Sequence, residues 1–132
     1  TPMQWNDGKY AGFSTKKPWI SVNKNYKTIN VENQLKDPHS VLNFYKTIIK
    51  LKKTSKALIY GTYKLLLPKS KYIFAYEREL EGEKYLVVSN LNSKIVKIPS
   101  NSLNLTGELI LSNYNENSSV SLAPWECRIY RV

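Results

Sequence analysis

The strongest constraint on the fold of this 132-residue chain is a change in apolar periodicity near Ala57. From that point apolar and polar residues alternate with a period of two, and turn signals recur about every 8–12 residues. Short strands without intervening helices favour an antiparallel sandwich or a Greek-key barrel. The predicted strands are Leu58–Leu67, Tyr72–Leu80, Lys84–Asn90, Lys94–Ile98, Glu108–Ser112, Val120–Leu122 and Trp125–Val132.

Turn-forming residues fall where these strands end. The segment Leu80-Glu81-Gly82-Glu83 is typical of a tight hairpin between the second and third strands. Pro68, Pro99 and Pro124 all lie in gaps between predicted strands, where the missing N–H donor interrupts no ladder of hydrogen bonds. We therefore predict a mainly β chain.

One α-helix is predicted before the strands. Asp37 suits the N-cap, Pro38 suits the first helical position, and the body is expected from His39 to about Lys53. Phe44 and Leu51 widen its apolar stripe, which indicates packing on two sides. The positions that follow the helical period are Val41, Leu42, Tyr45, Ile48, Ile49 and Lys52.

The first 36 residues carry few helix or strand signals, and we expect them to form an ordered but irregular segment. Short extended stretches are predicted at Lys17–Ile20 and Val22–Tyr26. Burial against a surface is expected for the large aromatic residues Trp5, Phe13, Trp19 and Tyr26. Because such a long irregular segment is unusual inside a compact domain, we expect the chain to be the C-terminal piece of a larger protein.

Composition limits the class of protein. The chain is 42% apolar, and its apolar runs are shorter than the ~18 residues that span a bilayer, so we expect a soluble protein without a membrane partner. Its single cysteine, Cys127, permits no internal disulfide framework. A cytoplasmic location is expected, because a lone thiol is compatible with a reducing compartment.

The net charge of +10 raises the question of nucleic-acid binding. Cations and aromatic residues together suit single-stranded nucleic acid. However, only Arg78, Arg128 and Arg131 are arginines among the 20 basic residues, and phosphate and base recognition favour arginine. We therefore expect no nucleic-acid partner. A stand-alone module that binds carbohydrate or single-stranded nucleic acid remains the alternative.

The sequence offers little catalytic chemistry of its own. His39 is the single histidine and is expected on a helix surface, and no phosphate-binding or nucleophile-elbow motif occurs. We predict no metal site, no cofactor and no catalytic residue. Among the carboxylates, Asp37 is expected to serve as a cap, and Glu79, Glu81 and Glu83 are expected to be solvated around the hairpin. The chain alone is therefore not expected to be a self-sufficient enzyme.

Several segments together carry a family resemblance. The chain resembles the α-amylase superfamily of glycoside hydrolases (family 13), in the subgroup of oligo-1,6-glucosidase, α-glucosidase and trehalose-6-phosphate hydrolase. The segments that match are Thr1–Asn6, Ala11–Phe13, Lys17–Ile20, Val22–Tyr26, Ile29–Glu32, Asp37–Tyr45, Tyr60–Gly61, Phe74–Tyr76, Leu111–Tyr114 and Pro124–Tyr130.

The resemblance implies a (β/α)8 barrel followed by an antiparallel β-sandwich. Residues 1–56 would be the last barrel loop and the eighth helix, and residues 57–132 the C-terminal Greek-key β-sandwich domain. The catalytic carboxylates of the family have no counterpart here. The chain would therefore be a structural, non-catalytic fragment of a retaining, exo-acting α-glucosidase. Its partners would be the rest of the barrel and, through the parent, an oligosaccharide.

The loop from Thr1 to Phe13 would lie on the active-site face of the barrel. Gln4, Trp5, Asn6 and Asp7 are therefore candidates for supporting the sugar site, or else they only pack the loop. Asn6 stands where the family usually has Asp, which preserves shape but removes a charge. The β-domain would either bind sugar through exposed Trp or Tyr, or act as a structural cap.

Overall fold

The computed structural model describes residues 1–103 and 105–132, which form two compact units, Thr1–Ile49 and Lys50–Val132. Taken together, the described residues are mostly antiparallel sheet with a few helices, the longest of which has 14 residues.

The first unit contains more helix than the sequence predicts. After 3-10 turns at Lys9–Gly12 and Lys24–Lys27, helix α1 spans Val31–Lys36. Asn30 caps α1, because its side chain accepts a hydrogen bond from the Asn33 N–H at 2.8 Å. The prediction of an irregular segment is therefore wrong at α1, and the extended stretch predicted at Val22–Tyr26 is interrupted by the second turn. Six residues are too few to display a helical period.

The second helix, α2, spans Val41–Thr54 and begins two residues later than predicted. Ser40 acts as its cap, since its Oγ accepts a hydrogen bond from the Asn43 N–H at 3.2 Å. Asp37 instead ends α1 and accepts the His39 N–H at 2.9 Å in a local turn. The prediction of Asp37 as N-cap is therefore wrong, because a second capping residue lies three positions further on.

Apolar side chains of the first unit remain exposed. None of the residues of α2, all of which the structure describes, is fully buried, and Val41, Tyr45 and Ile49 are exposed. Trp19 is 95% exposed, and Trp5 is half exposed. The expected burial of these aromatic residues is not found within the unit itself.

The second unit starts within the last part of α2 and then contains a helix where the sequence predicts a strand. Helix α3 spans Lys56–Tyr60 and is capped by Ser55, whose Oγ accepts the Leu58 N–H at 3.2 Å. Gly61 then permits the change to strand β1, because a Cβ there would lie 2.7 Å from the Glu79 carbonyl oxygen. The described residues therefore contain three α-helices, and the prediction of a single α-helix is wrong.

Within the described residues seven strands follow, and five of them form one antiparallel sheet in the order β1-β2-β3-β7-β5. The hairpin between β2 and β3 is confirmed: Leu80 pairs with Glu83, and the turn residues Glu81 and Gly82 have φ of 51° and 84°. The strands are β1 Thr62–Leu66, β2 Ile73–Leu80, β3 Glu83–Asn90, β4 Val96–Lys97, β5 Glu108–Ser112, β6 Ser121–Leu122 and β7 Cys127–Arg131.

Strands β4 and β6 pair with each other in a second, two-stranded sheet and are shorter than predicted. The apolar core joins residues of both sheets and of the connecting segments. Its buried members are Ile73, Ala75, Leu86, Val88, Ile98, Leu103, Leu122 and Tyr130.

A buried ion pair lies on the core side of β7. The Arg128 Nε donates to Glu126 Oε1 at 2.7 Å, and both side chains are 1% exposed. The same guanidinium donates to the carbonyl oxygens of Ser118 at 2.7 Å and Ser121 at 2.8 Å. Glu126 also accepts the Ala123 N–H at 2.6 Å. The pair is therefore supported by hydrogen bonds to the backbone of the segment that carries β6.

Candidate functional site

The loop from Trp5 to Gly12 is closed by its own backbone. The N–H groups of Trp5 and Asn6 both donate to the Ala11 carbonyl oxygen, at 2.9 and 3.2 Å. The Ala11 N–H donates in turn to the Gly8 carbonyl oxygen at 2.9 Å. Because Ala11 is fully buried and bonded in both directions, it serves as the centre around which this loop folds.

Three consecutive residues of this loop have left-handed backbone conformation. Tyr10, Ala11 and Gly12 have φ of 54°, 58° and 66°. For the two residues with side chains this conformation costs about 1–2 kcal/mol each. A Cβ at Gly12 would also lie 2.6 Å from Asn6 Nδ2, so the Asn6 side chain would have to move. Such strain persists only where the surroundings fix it, and it concentrates at functional sites.

Gln4 and Trp5 anchor the loop to α1. The carbonyl oxygens of Gln4 and Trp5 accept the N–H groups of Val31 and Glu32 at 2.9 and 3.0 Å, which satisfies two donors of the first helical turn. The Gln4 side chain donates to Asn25 Oδ1 at 3.1 Å and to the carbonyl oxygen of Ile29. The polar group of Gln4 is therefore used within the unit, whereas the Trp5 indole is half exposed.

Asn6 and Asp7 have different surroundings. Asn6 Oδ1 accepts the Gly8 N–H at 3.0 Å, and its amide packs against Gly12. Asp7 is exposed on the surface. The pKa of Lys36 is raised by its hydrogen bond and ion pair with Glu32, with a smaller contribution from the charge of Asp7. The structure thus brings all four candidates into one loop, and a role for them in sugar binding stays a prediction.

The geometry shows which atom of Asn6 the loop uses. Because the contact uses only Oδ1, Asn6→Asp should keep the loop intact, whereas Asn6→Ala should remove the acceptor at a cost of about 1 kcal/mol. We expect the Asn6→Ala variant to exchange the Gly8 and Trp5 amide hydrogens about fivefold faster, as measured by NMR. Asp7→Ala is the matched control and should leave both rates unchanged. Unchanged exchange in Asn6→Ala would contradict this role.

A cavity of about 450 Å³ lies beside the loop. Its lining combines apolar rings with a few polar groups, and it is open to solvent. Its lining residues include Pro2, Phe13, Ser14, Lys17, Pro18 and Trp19. The sequence indicates only that Phe13 and Trp19 are to be buried. In the sequence, only Gly12 indicates the left-handed turn. The cap of α1 is indicated only by Asn30 itself.

The remaining titratable groups do not assemble a reactive centre. Within residues 1–103 and 105–132, no group of three His, Cys, Asp or Glu side chains has the arrangement to hold a metal ion. His39 is exposed and precedes α2. Burial raises the pKa of the Cys127 thiol, partly opposed by the hydrogen bond from Ser89 Oγ at 3.1 Å. Among the described residues, no helix is long and apolar enough to cross a membrane.

The chain is similar to a known family and to several known proteins. Residues 1–61 match the alpha-amylase family model, described as the alpha amylase catalytic domain. The chain is 42% identical to the oligo-1,6-glucosidase of Parageobacillus thermoglucosidasius, covering 100% of this chain and 25% of the relative. It is 46% identical to a probable oligo-1,6-glucosidase of Bacillus subtilis, over 98% of this chain and 24% of the relative. It is 38% identical to the trehalose-6-phosphate hydrolase of Escherichia coli, over 96% of this chain and 24% of the relative.

Solved structures give a concordant result. The trehalulose synthase of Pseudomonas mesoacidophila superposes with a TM-score of 0.86 at 34% identity, covering 99% of this chain and 25% of that one. A trehalose-6-phosphate hydrolase from Bacillus licheniformis superposes with a TM-score of 0.85 at 32% identity, covering 99% of this chain and 25% of that one. The chain thus spans 25% of the length of these two enzymes. On this combined sequence and structural similarity, the chain belongs to the alpha-amylase family of glycoside hydrolases.

Proposed function

We propose that this chain acts as the C-terminal part of a retaining, exo-acting α-glucosidase of the oligo-1,6-glucosidase type, working in cytoplasmic carbohydrate metabolism. Residues 1–56 would be the last loop and eighth helix of a (β/α)8 barrel, and residues 57–132 an antiparallel Greek-key β-sandwich domain. The observation that carries the proposal is the match of the whole chain to a quarter of the length of oligo-1,6-glucosidases.

The first unit supports a role in completing a barrel. Helix α2 exposes Val41, Tyr45 and Ile49, and an apolar cavity of about 260 Å³ lies beside it. Met3, Val31 and Leu42 also line this cavity. Exposed apolar surface of this kind marks an interface. We propose that the rest of the catalytic barrel covers it.

The described residues also support a structural rather than a catalytic role. Of the ten acidic residues, all within the described ranges, only Glu126 is fully buried, and it is already bound to Arg128. A retaining glycosidase needs two carboxyl groups about 5–5.5 Å apart on either side of the scissile bond. We therefore propose that the parent's catalytic carboxylates come from outside this chain, and that Gln4–Asp7 support the sugar site from the loop.

The proposal predicts that the isolated chain will not hydrolyse p-nitrophenyl α-glucoside. Hydrolysis would be followed by release of p-nitrophenol, with the intact Parageobacillus thermoglucosidasius enzyme as the positive control. Turnover by the isolated chain that survives repeated purification would contradict the non-catalytic role. Binding of an oligonucleotide that weakens steeply with salt would instead favour the alternative, a stand-alone nucleic-acid-binding module.

A chimera tests the structural role directly. The matching quarter of the Parageobacillus thermoglucosidasius enzyme is replaced by this chain, and we expect the chimera to hydrolyse the same substrate. Introducing Val41→Asp with Tyr45→Asp should lower the yield of active chimera at least about tenfold, because two charges would be buried at the interface.

The matched control for this pair is Lys46→Asp with Lys53→Asp, on exposed positions of the same helix. These two changes should leave the active yield within about twofold, because surface substitutions alter stability little. A folded but inactive unmodified chimera, or full activity in the Val41→Asp, Tyr45→Asp chimera, would refute the proposal.

A further inference from the structure

Exposed apolar side chains gather at one end of the five-stranded sheet of the second unit. Tyr72 immediately precedes β2, and Leu91 immediately follows β3. Trp125 lies two residues before β7, and Tyr114 lies two residues after β5. Because adjacent strands are antiparallel, the start of one lies beside the end of the next. All four residues, three aromatic and one leucine, therefore lie at the same end of the sheet. We call this group the aromatic end.

Hydrogen bonds join the backbone segments that carry these residues. The Leu91 N–H donates to the Tyr72 carbonyl oxygen at 2.7 Å. The Trp125 N–H donates to the Asn92 carbonyl oxygen at 3.1 Å. The ends of β2 and β3 and the start of β7 are thus linked directly, and the side chains of the aromatic end are presented from a fixed framework.

A second set of bonds holds Trp125 from the other side. The Asn113 amide donates from Nδ2 to the Trp125 carbonyl oxygen at 3.0 Å, and the Tyr114 hydroxyl donates to the Pro124 carbonyl oxygen at 2.8 Å. The next residue, Glu126, belongs to the buried ion pair. Trp125 is therefore fixed at both backbone groups and adjoins one of the most constrained parts of the core.

The conformation of Trp125 is unfavourable for its residue type. Its φ is 58°, in the left-handed region, where a bulky side chain is a genuine outlier. Its side chain nevertheless gains little burial, because the residue is 61% exposed. Glycine would satisfy this backbone at lower cost. A strained, firmly held and exposed indole is an arrangement that points to a ligand.

The chemistry of the aromatic end favours a neutral sugar. Indole and phenol rings offer flat apolar surfaces that match the C–H face of a pyranose ring. The side-chain amides of Asn92 and Asn113 are bonded within the protein, since Asn92 Oδ1 accepts the Lys94 N–H at 3.0 Å and Asn113 bonds to the backbone of Trp125 and Cys127. The rings are therefore the groups that would contact the sugar. We propose that Trp125 and Tyr114 form a surface site for α-gluco-oligosaccharides, separate from the loop of residues 4–12. The choice of α-linked glucose rests on the proposed function, whereas the site itself rests on the geometry of the second unit.

The site can be tested on the full chain labelled with 15N. Its three tryptophans, Trp5, Trp19 and Trp125, give three indole N–H signals that NMR follows separately during titration with isomaltotriose and with maltotriose. We expect the Trp125 signal to move saturably with a Kd of about 1–10 mM, typical of a small, open site. The signals of Trp5 and Trp19 should stay in place, because the sugar site that Trp5 is proposed to support needs parts of the parent outside this chain. Cellotriose, which is β-linked, should bind at least about fivefold more weakly.

Two variants make the test decisive. Trp125→Gly removes the ring while suiting the backbone, so the chain should keep its melting temperature and lose at least about tenfold in affinity. Trp19→Ala removes a more exposed indole and should leave the affinity unchanged. Absence of a saturable shift up to about 50 mM sugar, or unchanged affinity in Trp125→Gly, would overturn the proposal.

Other occupants would also be recognised. Self-association that Trp125→Gly abolishes, or salt-sensitive oligonucleotide binding that shifts the same signal, would replace the sugar by a second copy or by nucleic acid. The outcome is separable from the chimera experiment. A chimera carrying Trp125→Gly should hydrolyse the small p-nitrophenyl substrate normally even when the surface site is lost.

Discussion

Replacing Arg128 by alanine should lower the free energy of unfolding of the second unit by about 3–5 kcal/mol. The change leaves the Glu126 carboxylate buried without its cation, and it removes the donors to the carbonyl oxygens of Ser118 and Ser121. Removing one member of a buried pair is far more costly than removing a surface charge. Urea unfolding of the full chain, followed by the circular dichroism of the sheet, measures the loss.

A double variant separates the loss of the ion pair from the cost of leaving one buried charge without its partner. Glu126→Leu with Arg128→Met removes both charges while roughly keeping volume, and it should be less destabilising than Arg128→Ala alone. Arg131→Ala is the surface control, since its contact with Glu108 is exposed and 3.5 Å long, and it should cost less than about 1 kcal/mol. A loss in Arg128→Ala no greater than in Arg131→Ala would show that the buried pair does not hold this segment.

Gly107→Ala should be the most damaging of the small substitutions, with a loss of about 3 kcal/mol. Gly107 immediately precedes β5 and has φ of 112°, in a region that favours glycine. A Cβ at this position would also collide with the carbonyl oxygen of Arg131, on the neighbouring strand β7. The edge strand β5 would have to shift away from its partner.

Gly82→Ala is the matched control. Gly82 also has a positive φ, 84°, but no atom lies within 4 Å of the position its Cβ would take. It should therefore show only the backbone cost of about 1–2 kcal/mol. The difference between the two variants in urea unfolding isolates the steric contact with β7. Equal losses would mean that the Gly107 backbone relaxes without disturbing the sheet.

The candidate loop shows how far local signals reach. The sequence pointed to Gln4–Asp7 only through family resemblance, because no local pattern marks these residues as a site. The closure of the loop depends on the buried carbonyl of Ala11 and on the left-handed turn around it. Of the residues in this turn, only Gly12 is of a type that favours a left-handed conformation. Tyr10 and Ala11 keep the left-handed conformation because of surrounding contacts. Local sequence propensity does not predict these contacts.

Helix boundaries were set by competition between neighbouring polar side chains. Asp37 and Ser40 are both good caps, and either could have started α2 from the sequence alone. In the folded unit Ser40 is used by α2, while Asp37 closes α1. Likewise Leu58 has a strand-like setting in the sequence, but Ser55 caps a short helix that buries it. Propensity could not decide these cases because the alternatives differ by about 1 kcal/mol or less.

The sequence by itself determined the elements whose signal is carried by many residues or by turn chemistry: the long helix, the β2–β3 hairpin, strand β5, the prolines between strands and the family. These features depend on interactions between near neighbours in the chain. The tertiary structure decided which strands pair, since β7 lies between β3 and β5. It also decided that Glu126 and Arg128 are buried together and that Trp125 is held exposed and strained. Those outcomes depend on groups distant in sequence, whose desolvation and hydrogen bonding are fixed only once the chain has folded.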